Sequence, residues 1–344
     1  MPLYPLLRPL VFRLDAERAH RLSLAALRLM PVERAATRTD PILKSTVAGI
    51  TFPTPVGLAA GYDKDAVAPD HLLGLGFGFV EVGTLTPLPQ AGNPKPRLFR
   101  LVEDRAVINR MGFNNGGQAD AHARLARRAR RGIVGVNIGA NKDAVDRIAD
   151  YASGAARMAG VADYLTINIS SPNTPGLRAL QDRGALEELL ARTLEARGAG
   201  GPPVFLKVAP DLEPADIDDI AQVAIDRGLD ALIVSNTTIS RPPLKSRYGG
   251  EAGGLSGVPL RDLALQRLRD FRTATGGRMP LIGAGGITTA EDAYARIRAG
   301  ASLVQLYSAL VYEGPGLARR ISEGLALLLR RDGFADVAEA IGNA

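Results

Sequence analysis

The sequence predicts an α/β protein built as a single (β/α)8 barrel of the TIM type, and three observations support this. Eight short runs rich in β-branched residues alternate with helical patterns, as in parallel sheets with crossover helices. No Gly/Ser linker divides the 344 residues, and such a barrel needs about 250. A polar residue or a glycine ends each run, as at the rim of a barrel active site. The predicted strands are Val56–Ala59, Phe79–Gly83, Val134–Ile138, Tyr164–Ile169, Val204–Val208, Ala231–Ser235, Leu281–Ala284 and Leu303–Leu306.

Four predicted helices have clear sequence signatures. Ala185–Arg197 places leucines on one face, and Pro214–Arg227 opens with a proline in its first turn. Thr288 and Glu291 form a capping-box pattern at the start of a third helix. The pattern Gly316–Arg331 predicts the helix that closes the fold.

Two connections are too long for simple loops, namely Leu85–Gly132 and Thr237–Met279. In the first, apolar and polar residues alternate around Leu98–Leu101 and Ala106–Asn109. We therefore predict an inserted β-hairpin, followed by a glycine-rich turn and a helix. Long ordered loops at this end of a barrel usually carry function.

The first thirty residues predict two short amphipathic helices, Pro2–Leu14 and Asp15–Met30, with Asp15 as the N-cap of the second. Leucines recur at helical spacing, and arginines occupy the other faces. Such helices either cover the barrel or lie in a membrane surface, and the pattern alone leaves both interpretations open. No uncharged apolar run approaches the 18 residues that a membrane-spanning helix needs.

Composition excludes several kinds of site. The chain has no cysteine, which excludes disulfides, thiolate metal sites and a cysteine nucleophile. Its three histidines, His20, His71 and His122, have no metal-ligand spacing, so we expect no metal. The formal net charge is +6, yet no basic block is interleaved with aromatic residues, so we expect no nucleic-acid partner.

The polar strand ends indicate the chemistry of the site. Gly283–Gly286 follows the seventh strand and precedes a helix, the usual place for a phosphate in this fold. Lys207 ends the fifth strand after an apolar run, so it either pairs with a carboxylate or stabilises a negatively charged ligand. Asn168 and Asn173 flank the segment NISSPN, and their amides match the donors and acceptors of a polar heterocycle.

At this level of detail the sequence resembles the dihydroorotate dehydrogenase family, in its quinone-dependent, membrane-associated class. The resemblance runs from about Tyr4 to about Leu328. Its matching stretches are AAGYDKD (Ala59–Asp65), EVGTLTP (Glu81–Pro87), GNPKPRLFRL (Gly92–Leu101), INRMGFNN (Ile108–Asn115), VNIGANKD (Val136–Asp143), NISSPNTPGLR (Asn168–Arg178), SNTT (Ser235–Thr238), GGLSG (Gly253–Gly257), GAGGI (Gly283–Ile287) and GASLVQLYSAL (Gly300–Leu310).

The resemblance implies an activity in pyrimidine biosynthesis. Members of the family oxidise dihydroorotate to orotate, with a base removing the C5 proton while hydride passes from C6 to the flavin. The base is serine in the quinone class and cysteine in the soluble classes. Ser171 matches the serine, and the chain has no cysteine to replace it. Thr174 matches a threonine that connects the base to water.

The resemblance also implies which residues bind FMN and substrate. Lys64 would pair with the substrate carboxylate, and Lys207 would lie near flavin N1 and O2. The implied FMN-binding residues are Ala60, Gly61, Tyr62, Asp63, Lys64, Thr84, Asn137, Asn168, Lys207, Ser235, Gly257, Gly286, Tyr307 and Ser308. The implied substrate-binding residues are Lys64, Asn109, Arg110, Met111, Gly112, Phe113, Asn168, Asn173, Asn236 and Thr237.

For the N-terminus, the resemblance implies a membrane function. Residues 1–40 would form a helical extension enclosing a quinone tunnel, and residues 41–344 the FMN-binding barrel. His20 and Arg100 match positions near the tunnel, with Tyr307 between it and the flavin. We expect peripheral contact with lipid on the cytoplasmic side of the cell membrane and no obligatory protein partner. The segment Thr174–Gln181 is expected to close over the substrate.

Three alternatives remain at this stage. Another FMN barrel, such as a dihydrouridine synthase, usually relies on a cysteine acid, which is missing here. A phosphosugar aldolase or isomerase would use Lys207 as a Schiff base, and a lipid-surface protein without catalysis would leave the polar strand ends unexplained. A yellow protein that bleaches when dihydroorotate is added would separate these possibilities.

Overall fold

A closed barrel of eight parallel strands forms the centre of the computed structural model, which describes residues 4–31 and 39–343. The barrel strands follow one another in chain order, and the last pairs with the first. In the described residues the strands are β1 (Ser45–Val47), β2 (Ile50–Phe52), β3 (Val56–Leu58), β4 (Phe79–Leu85), β5 (Leu98–Leu101), β6 (Ala106–Asn109), β7 (Ile133–Ile138), β8 (Tyr164–Asn168), β9 (Val204–Val208), β10 (Ala231–Val234), β11 (Gly254–Gly257), β12 (Leu281–Ala284) and β13 (Ala301–Leu306).

The predicted fold class is confirmed, and the barrel consists of β3, β4, β7, β8, β9, β10, β12 and β13. Each predicted barrel strand is present, with ends within two residues of those observed. The helices of the described part are α1 (Tyr4–Val11), α2 (Ala16–Leu29), α3 (Pro69–Gly74), α4 (Gln118–Arg127), α5 (Arg147–Met158), α6 (Arg183–Arg197), α7 (Pro214–Asp226), α8 (Arg261–Ala274), α9 (Ala290–Arg298), α10 (Ser308–Glu313) and α11 (Leu317–Arg331).

The predicted capping box of α9 is wrong by one residue. The N-cap is Thr289, whose hydroxyl accepts a hydrogen bond from the backbone N–H of Asp292 at 3.2 Å. Asp292 accepts in return from the Thr289 N–H at 3.1 Å. Thr288 and Glu291 have the same three-residue spacing as Thr289 and Asp292. Asp292 is also paired with Arg261 at 3.0 Å, and this contact favours a helix start with Thr289 as the N-cap.

Aromatic rings fill the lower end of the barrel, where the strands begin. Tyr164 and Phe205 stack with ring centroids 4.5 Å apart, and Phe79 meets Phe52 of β2 edge to face at 5.1 Å. Glycines on neighbouring strands make room for these rings: a Cβ at Gly135 would lie 2.0 Å from the Tyr164 ring. The short hairpin β1–β2, which the sequence did not predict, packs against this aromatic layer through Phe52 and closes the lower end.

The predicted hairpin is present as β5 and β6, but it is part of a three-stranded antiparallel sheet. The third strand, β11, comes from the second long connection and pairs with β6. The helix expected after the glycine-rich turn is α4. The two long connections therefore join in one sheet beside the barrel.

Both N-terminal helices are present within the described residues. Asp15 is the N-cap of α2, as predicted, and accepts from the backbone N–H of Arg18 at 2.9 Å. Inside α2, the buried Glu17 carboxylate accepts two hydrogen bonds from the Arg97 guanidinium, at 2.8 and 3.0 Å. Arg97 thereby lowers the pKa of Glu17 and fastens α2 to the segment that precedes β5.

The two helices also expose apolar side chains, so they cover the barrel with only part of their surface. No helix in the described ranges is long and apolar enough to cross a membrane. The division at residue 40 stays a prediction, since residues 32–38 lie outside the described part. The exposed apolar side chains of this region are Leu6, Leu7, Leu10, Leu14, Leu22, Leu29 and Met30.

We predict that Gly135→Ala lowers the free energy of unfolding by roughly 1–3 kcal/mol, because the added methyl overlaps the Tyr164 ring. Thermal unfolding followed by circular dichroism measures the loss. Gly184→Ala is the matched control, since its Cβ would meet no atom within 4 Å and the position lies inside α6. Equal melting temperatures for Gly135→Ala and the wild-type protein would contradict the close packing of this layer.

Candidate active site

A cavity of about 440 Å³ opens at the carboxyl ends of the barrel strands and extends outward to α1 and α2. This volume lies within the range of roughly 300–1,000 Å³ that is typical of small-molecule sites. One continuous space therefore joins the polar strand ends to the N-terminal helices. The predicted site residues that line it are Ala60, Gly61, Tyr62, Lys64, Thr84, Asn109, Met111, Gly112, Phe113, Asn168, Ser171, Asn173, Lys207, Ser235, Asn236, Thr237, Gly257, Gly286, Tyr307 and Ser308.

Three predicted site residues do not line this cavity. Asn137 lies beneath it, fully buried and hydrogen-bonded to lining residues. The Asp63 carboxylate turns away and accepts from the backbone N–H groups of Val67 and Ala68 at 2.9 and 2.8 Å. The Arg110 side chain pairs with Glu251 at 2.7 Å. Of these three, Asn137 has the most direct connection to the cavity.

Amide side chains form a continuous network under the strand ends. The Asn168 Nδ2 group donates to Thr84 Oγ1 at 2.9 Å and to Asn137 Oδ1 at 3.2 Å. Its Oδ1 accepts from Ser170 Oγ at 3.1 Å and from Asn236 Nδ2 at 3.3 Å. Because each amide holds its neighbour, the network fixes which groups face the cavity.

Ser171 lies directly after β8, buried at the cavity wall. Its Oγ accepts a hydrogen bond from the backbone N–H of Asn173 at 3.2 Å. Nearby in sequence, the buried Thr174 hydroxyl has no hydrogen-bond partner among the described residues. A buried hydroxyl without a protein partner is suited to a bound ligand or water.

Asn173 and Asn109 meet across the cavity mouth, where the amide of Asn173 donates to Asn109 Oδ1 at 3.3 Å. Asn93 supports both segments from behind, because its Nδ2 group donates to the backbone oxygens of Arg110 and Asn173, each at 3.1 Å. Arg97 in turn donates to the backbone oxygen of Asn93 at 2.8 Å. The Arg97 side chain thus contacts both α2 and Asn93, which supports the cavity-lining loops at Asn109 and Asn173.

Two lysines bring positive charge into the cavity. The Lys64 ammonium donates to the backbone oxygen of Gly61 at 2.6 Å. Burial lowers the pKa of Lys64 to about 8, although the carboxylates of Asp65 and Glu17 oppose the shift. A lysine with such a pKa changes its charge near neutral pH, which makes it responsive to an anionic ligand.

Lys207 lies at the bottom of the cavity, and its ammonium group forms no hydrogen bond or ion pair with any residue in the described ranges. A salt bridge, one of the two interpretations of Lys207 made from the sequence, is therefore not observed. Burial lowers the pKa of its ammonium group, and the Glu81 carboxylate acts in the opposite direction. A ligand with negative charge at this position would supply the missing partner.

The loop after β12 forms a glycine cradle, defined here as Gly285 and Gly286. Both have left-handed backbone angles, with φ of 107° and 72°. A Cβ at Gly286 would lie 2.3 Å from the Cα of Arg261, so no other residue fits without displacing the backbone. Arg296 is buried behind the cradle and donates to the Gly285 backbone oxygen at 2.9 Å. Such a turn before a helix fits an anionic phosphate.

The segment predicted to act as a lid, Thr174–Gln181, is fastened through Arg178. Arg178 donates to the backbone oxygens of Ser170 and Thr237, both at 3.2 Å, and pairs with Asp211 at 3.0 Å. Asp211 also accepts from the backbone N–H of Ile239 at 3.0 Å. The lid motion stays a prediction, and these contacts identify Arg178 as the anchor of the segment.

Aromatic residues line the passage between the strand ends and α2. The His20 and Tyr62 rings meet edge to face with centroids 5.0 Å apart, and the centroids of the Tyr62 and Tyr307 rings are 5.6 Å apart. The hydroxyls of Tyr62 and Ser23 are 2.8 Å apart. Burial lowers the pKa of His20 to about 3, with Lys64 acting in the same direction, so His20 is neutral at physiological pH. Arg100 also lines this outer part and donates to backbone oxygens at the end of α1.

Sequence reasoning assigned no function to several residues that hold the site together. Glu81 and Gln305 lie inside the barrel under the amide network, and their side chains are hydrogen-bonded at 2.8 Å. A charged residue within the apolar run of a predicted strand was the available signal for Glu81. The positions of Arg97 and Asn93 gave no comparable signal, because their partners are distant in sequence.

Within the ranges 4–31 and 39–343, no group of three or more His, Asp or Glu side chains is arranged to hold a metal ion. The donors around the cavity are amides, hydroxyls, lysines and glycine backbone. This set fits an anionic organic cofactor with a polar ring, since both positive charge and paired donors and acceptors are available.

Comparison with known proteins gives consistent results. A protein from Erythrobacter litoralis, described as dihydroorotate dehydrogenase (quinone), is 67% identical over 342 residues, with 99% of each chain covered. A protein of the same description from Sphingopyxis alaskensis is 67% identical over 343 residues, covering 98% of this chain and 96% of the relative.

Solved structures and a family model agree with these relatives. The ligand-free dihydroorotate dehydrogenase of Eimeria tenella superposes with a TM-score of 0.91 at 44% identity, covering 96% of this chain and 99% of the other. Its complex with ferulenol gives a TM-score of 0.90, also at 44% identity, and the match covers 96% of this chain and 95% of the other. The family model described as dihydroorotate dehydrogenase matches residues 42–329. The chain belongs to the dihydroorotate dehydrogenase family.

Proposed function

We propose that this protein oxidises dihydroorotate to orotate and passes the electrons to a membrane quinone, as a step of pyrimidine biosynthesis. One observation carries the proposal: a single cavity joins the polar strand ends, including Ser171, to the apolar faces of α1 and α2. Two substrates of different polarity can then reach one cofactor from different sides. The descriptions of the relatives support the same pair of substrates.

Family membership implies a flavin cofactor, and we propose that it is FMN. A bound flavin would supply a two-electron acceptor beside the substrate. The glycine cradle and the dipole of α9 would hold the single phosphate, and Lys207 would offset negative charge on the ring. Asn168 and Thr84 supply amide and hydroxyl groups for the ring edge.

For the substrate, we propose the space between Lys64 and the amides of Asn109, Asn173 and Asn236. The carboxylate of dihydroorotate would pair with the Lys64 ammonium. The amides would bind the ring N–H and C=O groups, which alternate around a pyrimidine as donors and acceptors do on asparagine. Arg178 would keep the segment after Ser171 in position over the ring.

Ser171 is the proposed general base, which accepts the proton from C5 of the substrate. A serine hydroxyl is a weak base at neutral pH and must pass its proton to another acceptor. The unpartnered Thr174 hydroxyl supports a relay in which a water molecule takes the proton onward. The alternative of a Schiff-base aldolase using Lys207 has no support from the family.

The outer end of the cavity is the proposed quinone site. Apolar residues of α1 and α2 line it together with the neutral His20. The exposed leucines of both helices are suited to lipid, and exposed arginines such as Arg13, Arg21 and Arg28 to anionic headgroups. We therefore propose peripheral attachment to the cytoplasmic side of the cell membrane, without an obligatory protein partner.

We expect Ser171→Ala to slow flavin reduction by about 10²–10⁴-fold, because the general base is removed while the cofactor site stays intact. Anaerobic stopped-flow mixing with dihydroorotate measures the rate, and the flavin absorbance of the purified variant checks occupancy. Thr174→Val should give a smaller decrease if the hydroxyl relays the proton. Ser153→Ala, on the exposed surface of α5, is the control. An unslowed Ser171→Ala variant would remove Ser171 from this role.

Orotate binding should weaken as pH rises through about 8, because Lys64 is charged below its lowered pKa and neutral above it. Well above that pH, the dissociation constant should increase about tenfold per pH unit, as for loss of a single proton. Titration of the flavin absorbance with orotate between pH 6 and 10 measures this. Lys64→Gln should bind orotate weakly and without a change in affinity near pH 8. If the variant showed the same pH dependence as the wild-type protein, Lys64 would be excluded as its source.

We expect Leu10→Gln/Leu29→Gln to reduce binding to liposomes at least about tenfold, because two exposed leucines lose their contact with the acyl region. Co-sedimentation with vesicles of mixed zwitterionic and anionic lipid measures the partition. Val145→Gln/Leu327→Gln replaces two exposed apolar residues outside α1 and α2 and is the control. An equal loss of liposome binding in both double variants would contradict membrane attachment through α1 and α2.

A further inference from the structure

Glu81 is a buried carboxylate in the interior of the barrel, below the cavity. Four side chains from three other strands donate hydrogen bonds to it. Asn137 Nδ2 donates to Oε1 at 2.7 Å, and Oε2 accepts from Gln305 Nε2 at 2.8 Å, Thr166 Oγ1 at 3.1 Å and Tyr164 OH at 3.2 Å. The interior thus surrounds this carboxylate with donors.

This arrangement fixes the orientation of the Asn137 amide. Because its Nδ2 group is bound to Glu81, its Oδ1 must face the strand ends, where it accepts from Thr84 and Asn168. The direction continues through the network, since Asn168 then presents its own oxygen to Asn236. If the Asn137 amide were reversed, its Nδ2 group would face the Nδ2 group of Asn168, and two donors would meet without an acceptor. Glu81 therefore determines the donor and acceptor order of groups at the cavity floor.

Glu81 also acts on the charge of Lys207. The strands beside Lys207, β8 and β10, carry no other charged residue, and Tyr164 is the one titratable side chain on them. The strands beside Glu81, β3 and β7, carry no charged or titratable side chain. Burial favours the neutral amine, and the Glu81 carboxylate favours the ammonium form. Without Glu81, Lys207 would lose its proton at a lower pH.

We propose that Glu81 is a positioning residue for the flavin-dependent reaction, which it supports by orienting Asn137 and keeping Lys207 positively charged. Glu81 does not line the cavity, so it acts through these two residues and not by contact with a ligand. The inference rests on the proposed function, since it assigns Lys207 to the flavin.

Glu81→Gln tests the charge with little change in shape. The amide oxygen can still accept from Asn137, and the new N–H groups can donate to Gln305, whose Oε1 is buried without a partner in the described structure. The variant removes the negative charge and keeps bonds to Asn137 and Gln305, while the hydroxyls of Thr166 and Tyr164 lose the oxygen to which they donate. That loss does not depend on pH, so the pH dependence of binding reports the charge. The double variant Glu81→Gln/Gln305→Glu returns the carboxylate to the other side of the same hydrogen bond.

The experiment measures the dissociation constant of FMN from the holoenzyme between pH 6 and 9.5, using the fluorescence of released flavin. The ratio of the two dissociation constants, Glu81→Gln over wild type, should be smallest at pH 6 and rise several-fold toward pH 9.5, because without the Glu81 carboxylate Lys207 loses its proton at a lower pH. The double variant should restore the wild-type curve.

Parallel curves for Glu81→Gln and the wild-type protein would overturn the inference, because a purely structural defect weakens binding equally at every pH. A double variant that behaves like the single one would overturn it too. A wild-type protein that holds no flavin at pH 6 would instead contradict the proposed function, so the two failures are distinguishable.

Discussion

Closure of eight parallel strands brings every carboxyl strand end to one rim, and the geometry of the site depends on that constraint. Each strand end contributes one or two groups, so the site is assembled from residues far apart in sequence. Closure requires the interior to be filled, and the layer of Phe79, Tyr164 and Phe205 does this at the lower end. Above that layer the interior changes from apolar to polar at Glu81 and Gln305.

Positive charge at the rim is balanced by groups that lie outside or beneath it. Lys207 is buried and Lys64 half-buried, and burial lowers the pKa of both ammonium groups, so an anion bound in the cavity would restore the charge that burial disfavours. The Glu17–Arg97 pair has a different effect, because it connects α2 to the loops around Asn93. One guanidinium therefore supports both the α2 helix, which exposes apolar surface, and the loops that line the cavity mouth.

Much of the architecture was predictable because the barrel strands are local patterns of β-branched residues bounded by polar residues. The strands that escaped prediction, β1, β2 and β11, have three or four residues each, and their pairing partners rather than their composition define them. The position of the α9 cap was ambiguous, since two hydroxyl–acid pairs share one spacing and only the contact with Arg261 distinguishes them. Glu81 and Arg97 could not be interpreted because their partners converge only in three dimensions.

The hairpin β1–β2 has a consequence for transport through the protein. With Phe52 and the aromatic layer filling the lower end, that end offers no path for solvent. Product and released protons must then leave through the upper end, past the segment anchored by Arg178 or along the passage toward α2. Within the described residues, exchange with the surroundings therefore takes place at the upper rim of the barrel, along these two routes.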